Sequence, residues 1–185
     1  LKWEIVMESN ILKLNPFFSE KIWGYEQWVL STHKNGHSKI KDNEINLIDH
    51  IEKELPILNK IIKAEDTLSV QVHPDDEFSR LHENDNGKTE CWYILEAEKD
   101  SYLICGIKDN HTKESFAKVI EDGEIEQHLE KISVEPGDMI YIPSGTVHAI
   151  TGGLKLIEVQ QSSDVTYRMY DWGRDREMHI EKSLQ

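Results

Sequence analysis

The sequence predicts an all-β fold, a barrel or sandwich of short strands with a few short helices. Three observations predict it. Apolar and polar residues alternate in many short runs, the two-residue period of a strand. Turn signals bearing glycine or proline recur about every eight residues. Helical periodicity is confined to segments that lie between strands and do not follow each one, which argues against a parallel α/β sheet.

The elements follow in order. "LNPFFSEKIWG" (14–24) reads as a short extended arm. "EQWVLSTHKNG" (26–36) alternates and ends in Asn-Gly, a hairpin signal. "NEINLIDHIEKEL" (43–55) has apolar residues at 45, 47, 48, 51 and 55 behind an asparagine cap, which predicts an amphipathic helix. "PILNKIIKAED" (56–66) is ambiguous and leans to strand in its second half. "TLSVQVHP" (67–74), "ECWYILEAE" (90–98) and "SYLICGI" (101–107) are strand-like. "TKESFAKVIEDGEIEQHLEK" (112–131) is helical and broken at Gly123. "KISVEPGDMIYIPSGTVHAITGG" (131–153), "LKLIEVQQSS" (154–163) and "VTYRMYDW" (165–172) complete the strand series, and no internal repeat is present.

Bulk properties narrow the function. A chain of 185 residues suits one domain and can bury a real core. No apolar run approaches the roughly 20 residues of a membrane helix. The opening "LKWEIVMESNILKLNP" lacks the apolar stretch of a signal peptide. The formal net charge of −14 argues against a nucleic-acid surface, and it means that an anionic substrate requires a locally positive pocket. Cys91 and Cys105 form no paired-cysteine motif, which points to a reducing, cytoplasmic compartment.

Four residues are candidate metal ligands: Gln71, His73, Glu90 and His148. In "SVQVHPDD" (69–76), Ser69, Gln71 and His73 share one strand face, and two valines take the other. Glu90 opens the next strong strand. Imidazole, carboxylate and amide oxygen make a mixed nitrogen and oxygen set, usable by zinc and other divalent ions. A lone strand histidine is ordinarily a hydrogen-bonded structural residue; the framing of His148 changes that reading. In "GDMIYIPSGTVH", Gly137 follows Pro136 in a tight turn, "DMIYI" is a short strand, and Pro143 with Gly145 makes the next hairpin. This delivers His148 to the barrel interior at the start of a strand.

The spacing G-x5-P-x-G-x2-H resembles the second cupin motif. "QVH" with Glu90 downstream resembles the first, with glutamine in the first histidine place and the insert "PDDEFSRLHENDNGKT" before the acid. "QVHPDD", "GKTECWYIL", "IPSGTVHAI" and "EVQQSSDVTYRMYDWGR" together resemble the type I phosphomannose isomerase family, densely from Thr67 to Gln185 and more weakly at "FFSEKIWG". The resemblance implies a cupin, jelly-roll-like β-barrel: one domain over 1–185, with an N-terminal arm, helix and strands (1–66) packing on the barrel. It implies a metal-dependent aldose–ketose isomerase acting on mannose 6-phosphate and fructose 6-phosphate. Its zinc ligands, one ion per chain, fall on Gln71, His73, Glu90 and His148, with another divalent metal left open. Arg168 falls on the catalytic arginine, Lys88 on the active-site lysine, and Glu158 on an acid implicated in proton transfer. Ser69 and Arg174 would help hold the phosphate. The implied partner is a small sugar phosphate, with a homodimer left open. Family members usually continue past "REMHIEKSLQ" into further C-terminal structure; this chain matches a short form, also compacted between Gly24 and Lys60.

The chemistry agrees with that assignment. Moving a proton between C1 and C2 requires a base and stabilisation of an enediolate, tasks suited to a carboxylate and a divalent metal. Guanidinium and ammonium groups match a phosphate dianion. Two other motifs fail. "GKT" (87–89) has His82 where a P-loop needs glycine, and "NDNG" lacks the acids of a calcium loop. Cys91 points away from the Glu90 face and reads as a core thiol, whereas Trp92 shares that face and either walls the cavity or packs. Two alternatives stand beside the isomerase: a non-catalytic cupin that binds metal or senses a sugar phosphate, and an iron-dependent cupin oxygenase.

Overall fold

The computed structural model describes residues 11–185, so the expectation for the first ten residues lies outside the described part. Eleven strands form two antiparallel sheets. They are β1 (Phe17–Lys21), β2 (Gly24–Leu30), β3 (Ile57–Ala64), β4 (Val70–Val72), β5 (Glu90–Ala97), β6 (Tyr102–Ile107), β7 (Leu129–Ser133), β8 (Met139–Ile142), β9 (His148–Ile150), β10 (Leu154–Gln161) and β11 (Tyr167–Tyr170). One sheet has the order β8-β5-β10-β3-β2-β1 and the other β7-β6-β9-β4-β11. Four short helices accompany them: α1 (Leu47–Ile51), α2 (Asp76–His82), α3 (Lys113–Glu121) and α4 (Ile180–Ser183). This is the mostly-β architecture that the strand pattern predicts, in keeping with the cupin fold that the resemblance implies.

Alternation decides which side chains meet between the sheets. Ile62 and Ala64 of β3, Trp92 and Ile94 of β5, and Leu154 and Leu156 of β10 pack with Leu103 and Ile150 of the other sheet in one buried cluster. Farther along the same strands the same faces carry Lys60, Glu90, Glu158 and Gln160, all buried. The space between the sheets is therefore apolar at one end and polar at the other. The five-stranded sheet is buried on its second face too. There Val70, Val72, Ile104, Ala149 and Met169 pack with Phe116 of α3 and with Ile125.

Several elements differ from expectation. The helix expected over 43–55 is the five-residue α1. Glu52 takes a left-handed φ of 51° and ends it, and of its residues only Leu47 is buried, so little tertiary packing extends it. The Asn-Gly turn sits one residue early, with Lys34 and Asn35 between the paired His33 and Gly36. The strand leaning of the second half of 56–66 extends back to Ile57 as β3, whereas 67–74 contributes only three strand residues. The insert after His73 contains α2, capped by the Asp75 carboxylate, which accepts from the Phe78 N–H. "PSGT" is not a hairpin. It carries the chain from β8 in one sheet to β9 in the other, with Gly145 at φ +81° and its N–H donating to His73 O. Of the N-terminal region expected to pack on the barrel, β1, β2 and β3 are strands of the larger sheet itself and make up half of it.

Candidate metal centre and active-site cavity

His73, Glu90 and His148 come from three separate segments and place their ligand atoms within 4.8 Å of one another. Each is 1–2 % exposed. Strand pairing sets this convergence: His148 of β9 lies opposite Gln71 of β4, and Arg168 of β11 lies opposite Gln71 on the other side. His73 Nδ1 is 2.9 Å from Val165 O, and His148 Nδ1 is 2.8 Å from Thr146 O. A carbonyl can only accept, so each Nδ1 carries the proton and each Nε2 offers a lone pair to the cluster. Burial, and next the Lys88 ammonium, pulls His73 well below the usual histidine range. Burial likewise lowers His148 to about 4. Both imidazoles are thus neutral at neutral pH, the form that binds a metal.

The residues fit a divalent cation. Neither Glu90 oxygen accepts a hydrogen bond from any described protein group, although both are buried. The Lys88 ammonium stands at the cluster as a cation would, 2.8 Å from Oε2 and 3.0 Å from His73 Nε2. A carboxylate buried in this way calls for a cation. Oε1 is 3.4 Å from His148 Nε2 and Oε2 is 3.7 Å from His73 Nε2. Gln71 turns its amide nitrogen to His148 Nε2 at 3.4 Å and accepts from Ser69 through Oε1 at 3.3 Å. A half-turn of the amide would present the oxygen to the cluster instead.

A cavity of about 330 Å³ opens beside the cluster. Lys21, Lys60, Lys88, Arg168 and Arg176 line it, against three acids, Glu26, Glu158 and Asp164. This local positive excess occurs in a chain of net charge −14. Trp92 joins the cavity to the cluster. Its ring meets His148 edge-on at 5.4 Å, and its indole N–H donates to Glu158 Oε2 at 3.0 Å. It both packs and walls the cavity. Lys60 Nζ lies 3.3 Å from Glu158 Oε1 and 3.7 Å from Glu26 Oε2. Burial pulls the Lys60 ammonium down, but Glu158 and Glu26 more than reverse this and hold its pKa above the ordinary lysine value.

Ser69, Gln71, Lys88, Glu158 and Arg168 all line this cavity with His148. Arg168 is anchored by Nη1 to Glu177 O at 2.6 Å, and its buried Nε–H has no partner among the described residues. A bulge between Arg168 and Tyr170 brings Tyr170 opposite Val70 and turns it off the arginine's face. Arg174 is placed differently from expectation. It is bound to Asp171 Oδ1 at 2.7 Å and Thr67 O at 2.7 Å and does not line the cavity; Arg176 does, held to Asp171 at 2.6 Å.

Sequence reasoning missed Glu26, Lys60, Lys21 and Arg176. A signal was present for two of them. Lys60 shares a strand face with Leu58, Ile62 and Ala64, and Glu26 shares one with Trp28. A charge on the apolar side of a strand marks a buried partner.

Comparison with known proteins agrees with this geometry. A family model described as phosphomannose isomerase type I, catalytic domain, matches residues 19–89. A Bacillus subtilis mannose-6-phosphate isomerase, ManA, is 38% identical over 97% of this chain and 68% of its own length. A mannose-6-phosphate isomerase of Streptococcus mutans is 41% identical over 86% of this chain and 56% of its own. The crystal structure of a Bacillus subtilis mannose 6-phosphate isomerase superposes with a TM-score of 0.89 at 33% identity, covering 94% of this chain and 67% of that one. With its strand order, buried histidine–glutamate cluster and positive cavity in place, the chain belongs to the type I phosphomannose isomerase family.

Proposed function

We propose that this chain interconverts mannose 6-phosphate and fructose 6-phosphate, moving one proton between C1 and C2 through an enediolate. The observation that carries this reading is Glu158. Its carboxylate is 3% exposed, faces the cavity and is gripped by Trp92 and Lys60 beside the His73–Glu90–His148 cluster. The names of the relatives give the substrate pair.

His73, Glu90 and His148, with Gln71 as fourth donor, would hold one divalent ion, and their nitrogen and oxygen set suits Zn2+. Bound there, such an ion supplies Lewis-acid stabilisation of oxyanion charge. Glu158 takes the proton from one carbon and returns it to the other, and its two fixed partners set the direction of the carboxylate. Lys88, 5% exposed, stands at the junction of cluster and cavity, where its ammonium can donate to a substrate oxygen. Arg168 offers its Nε–H, which has no partner among the described residues, to the developing oxyanion. Lys21 and Arg176, both less buried than Lys60 and Lys88, receive the phosphate together with Ser69. Cys91 and Cys105 are both free thiols, in keeping with a reducing, cytoplasmic setting.

A coupled assay that follows fructose 6-phosphate formation from mannose 6-phosphate tests this. Turnover should vanish on chelation and return with Zn2+. Binding of mannose 6-phosphate without turnover in the metal-loaded protein would instead make the chain a non-catalytic sugar-phosphate binder.

A further inference from the structure

On the outer face of the five-stranded sheet, away from the cavity, a second group of donors converges. The β6–β7 ladder ends at the pair Ile107 and Leu129, and the Lys108 N–H continues it by donating to His128 O at 2.7 Å. This bond pins together the loop that enters α3 and the short 3-10 turn Ile125–His128. Asp109, in the left-handed region at φ +65°, and His111, just before the α3 cap Thr112, are thereby set against His128. Asp109, His111 and His128 bring one ligand atom each within 4.8 Å of the others. Asp109 is exposed and both histidines are half-buried.

The histidine geometry points to more than a surface contact. His111 Nε2 and His128 Nδ1 are 3.0 Å apart, with ring planes at 77°. Two donors at about 2.1 Å from one ion stand roughly 3.0 Å apart at a right angle and about 3.4 Å apart at a tetrahedral angle. The two nitrogens, now hydrogen-bonded to each other, need to part by only about 0.4 Å to become two ligands on one tetrahedral ion. Ser115 fixes the tautomer. Its hydroxyl donates to Thr112 O at 3.0 Å, so towards His111 Nδ1, at 3.3 Å, it can only accept. With the proton of His111 on Nδ1, its Nε2 lone pair accepts from His128 Nδ1, whose proton an incoming metal would release to solvent. An imidazole held by a hydrogen bond on its far nitrogen is the usual form of a metal ligand. The Phe116 ring, 5.4 Å from His111, supports the imidazole from the α3 side.

We propose that Asp109, His111 and His128 form a second metal site, for a first-row divalent ion that favours imidazole, such as Zn2+. Calcium and magnesium do not suit a set with two imidazoles. Three protein donors leave room for water, and the site clasps the loop before α3 to the 3-10 turn. It does not depend on the isomerase reading, because it shares no residue with the His73–Glu90–His148 cluster.

The test is a count of bound Zn2+ after equilibrium dialysis against a zinc buffer, on the full chain and its variants. Wild type should bind two ions per chain. The double variant His111→Ala/His128→Ala should bind one and keep mannose 6-phosphate turnover within about twofold. His148→Ala should also bind one, and that ion should be lost when His111→Ala is added. Asp109→Asn should weaken only the second equivalent, by tenfold or more. A zinc count that His111→Ala/His128→Ala leaves unchanged from wild type overturns the proposal. Retention of the first equivalent in that variant shows that it has folded.

Discussion

The Lys60 ammonium lies 3.3 Å from Glu158 Oε1, with both side chains 4% exposed. This pair sits between adjacent strands in direct register, Glu158 opposite Lys60. Removing one member leaves a buried charge without its partner, which costs about 3–5 kcal/mol. Lys60→Met should therefore lower stability by that order in urea denaturation and remove most of kcat. The double variant Lys60→Met/Glu158→Gln should recover much of the stability and none of the turnover. A Lys60→Met protein with wild-type kcat would dissociate Lys60 from Glu158's work.

Gly87 explains why the loop before Glu90 carries "GKT". A Cβ on Gly87 would stand 2.4 Å from Asp76 N and 2.5 Å from Asp75 C, both backbone atoms at the start of α2. Its own N–H donates to Asp76 Oδ1 at 2.9 Å. Gly87→Ala must push the loop off α2, at a cost of about 1–3 kcal/mol for such overpacking. Because Lys88 and Glu90 follow directly, metal affinity should fall along with Tm. Calorimetric titration and thermal melts check both; a fall in Tm with unchanged metal affinity would uncouple the loop from the cluster.

Asp171 governs the acid limit of the cavity rim. It is fully buried and binds both Arg174 and Arg176. Burial pushes its carboxyl up, but the hydrogen bonds from Arg176 and Arg174 outweigh this and hold it below the usual aspartate value. The folded state thus favours the ionised form. Its stabilisation is complete above the unfolded value of about 4 and is lost as pH falls through the lower folded value. Asp171→Asn should lack that acid-dependent part. Urea midpoints from pH 6 down to pH 2 should fall less steeply in the variant than in wild type; parallel curves would contradict the assignment.

The sequence made the metal cluster readable because each ligand sits in a local motif and the family resemblance groups those motifs, whereas their convergence comes from strand pairing. Glycine and proline spacing fixes where His148 emerges, and strand alternation places Gln71 and His73 on a single face. Lys60 and Glu26 were harder to find because their partners are supplied by neighbouring strands distant in sequence. Their clue was a charge on an apolar strand face, which is weaker than a motif. The choice between Arg174 and Arg176 was unreadable, since "GRDREM" lies in an irregular segment with no period to say which guanidinium faces the cavity. The α2 insert and the sheet-to-sheet passage at "PSGT" depend on tertiary context, which no local pattern reports. The same holds for the bulge that turns Tyr170 away from Arg168.

Arg168→Ala and His148→Ala should separate turnover from metal binding. Its guanidinium lines the cavity and its Nε–H has no partner among the described residues. Arg168→Ala should keep the His73–Glu90–His148 metal and lose about 10²–10³-fold in kcat, the usual effect of removing one oxyanion donor. His148→Ala should lose that metal itself. Metal content and kcat measured on the same preparations distinguish the two; unchanged turnover in Arg168→Ala would remove the role assigned to it.

The most direct test is exchange at C2. Metal-loaded protein is incubated with mannose 6-phosphate in D2O, and deuterium in the sugar phosphates is followed by NMR, before and after chelation. The account predicts solvent deuterium at C2 of mannose 6-phosphate and at C1 of fructose 6-phosphate, lost on chelation and in Glu158→Gln. Isomerisation with neither position labelled leaves room for a wholly shielded transfer only if Glu158→Gln is inactive. Full activity in Glu158→Gln, or binding of the substrate with neither exchange nor isomerisation, would contradict the account.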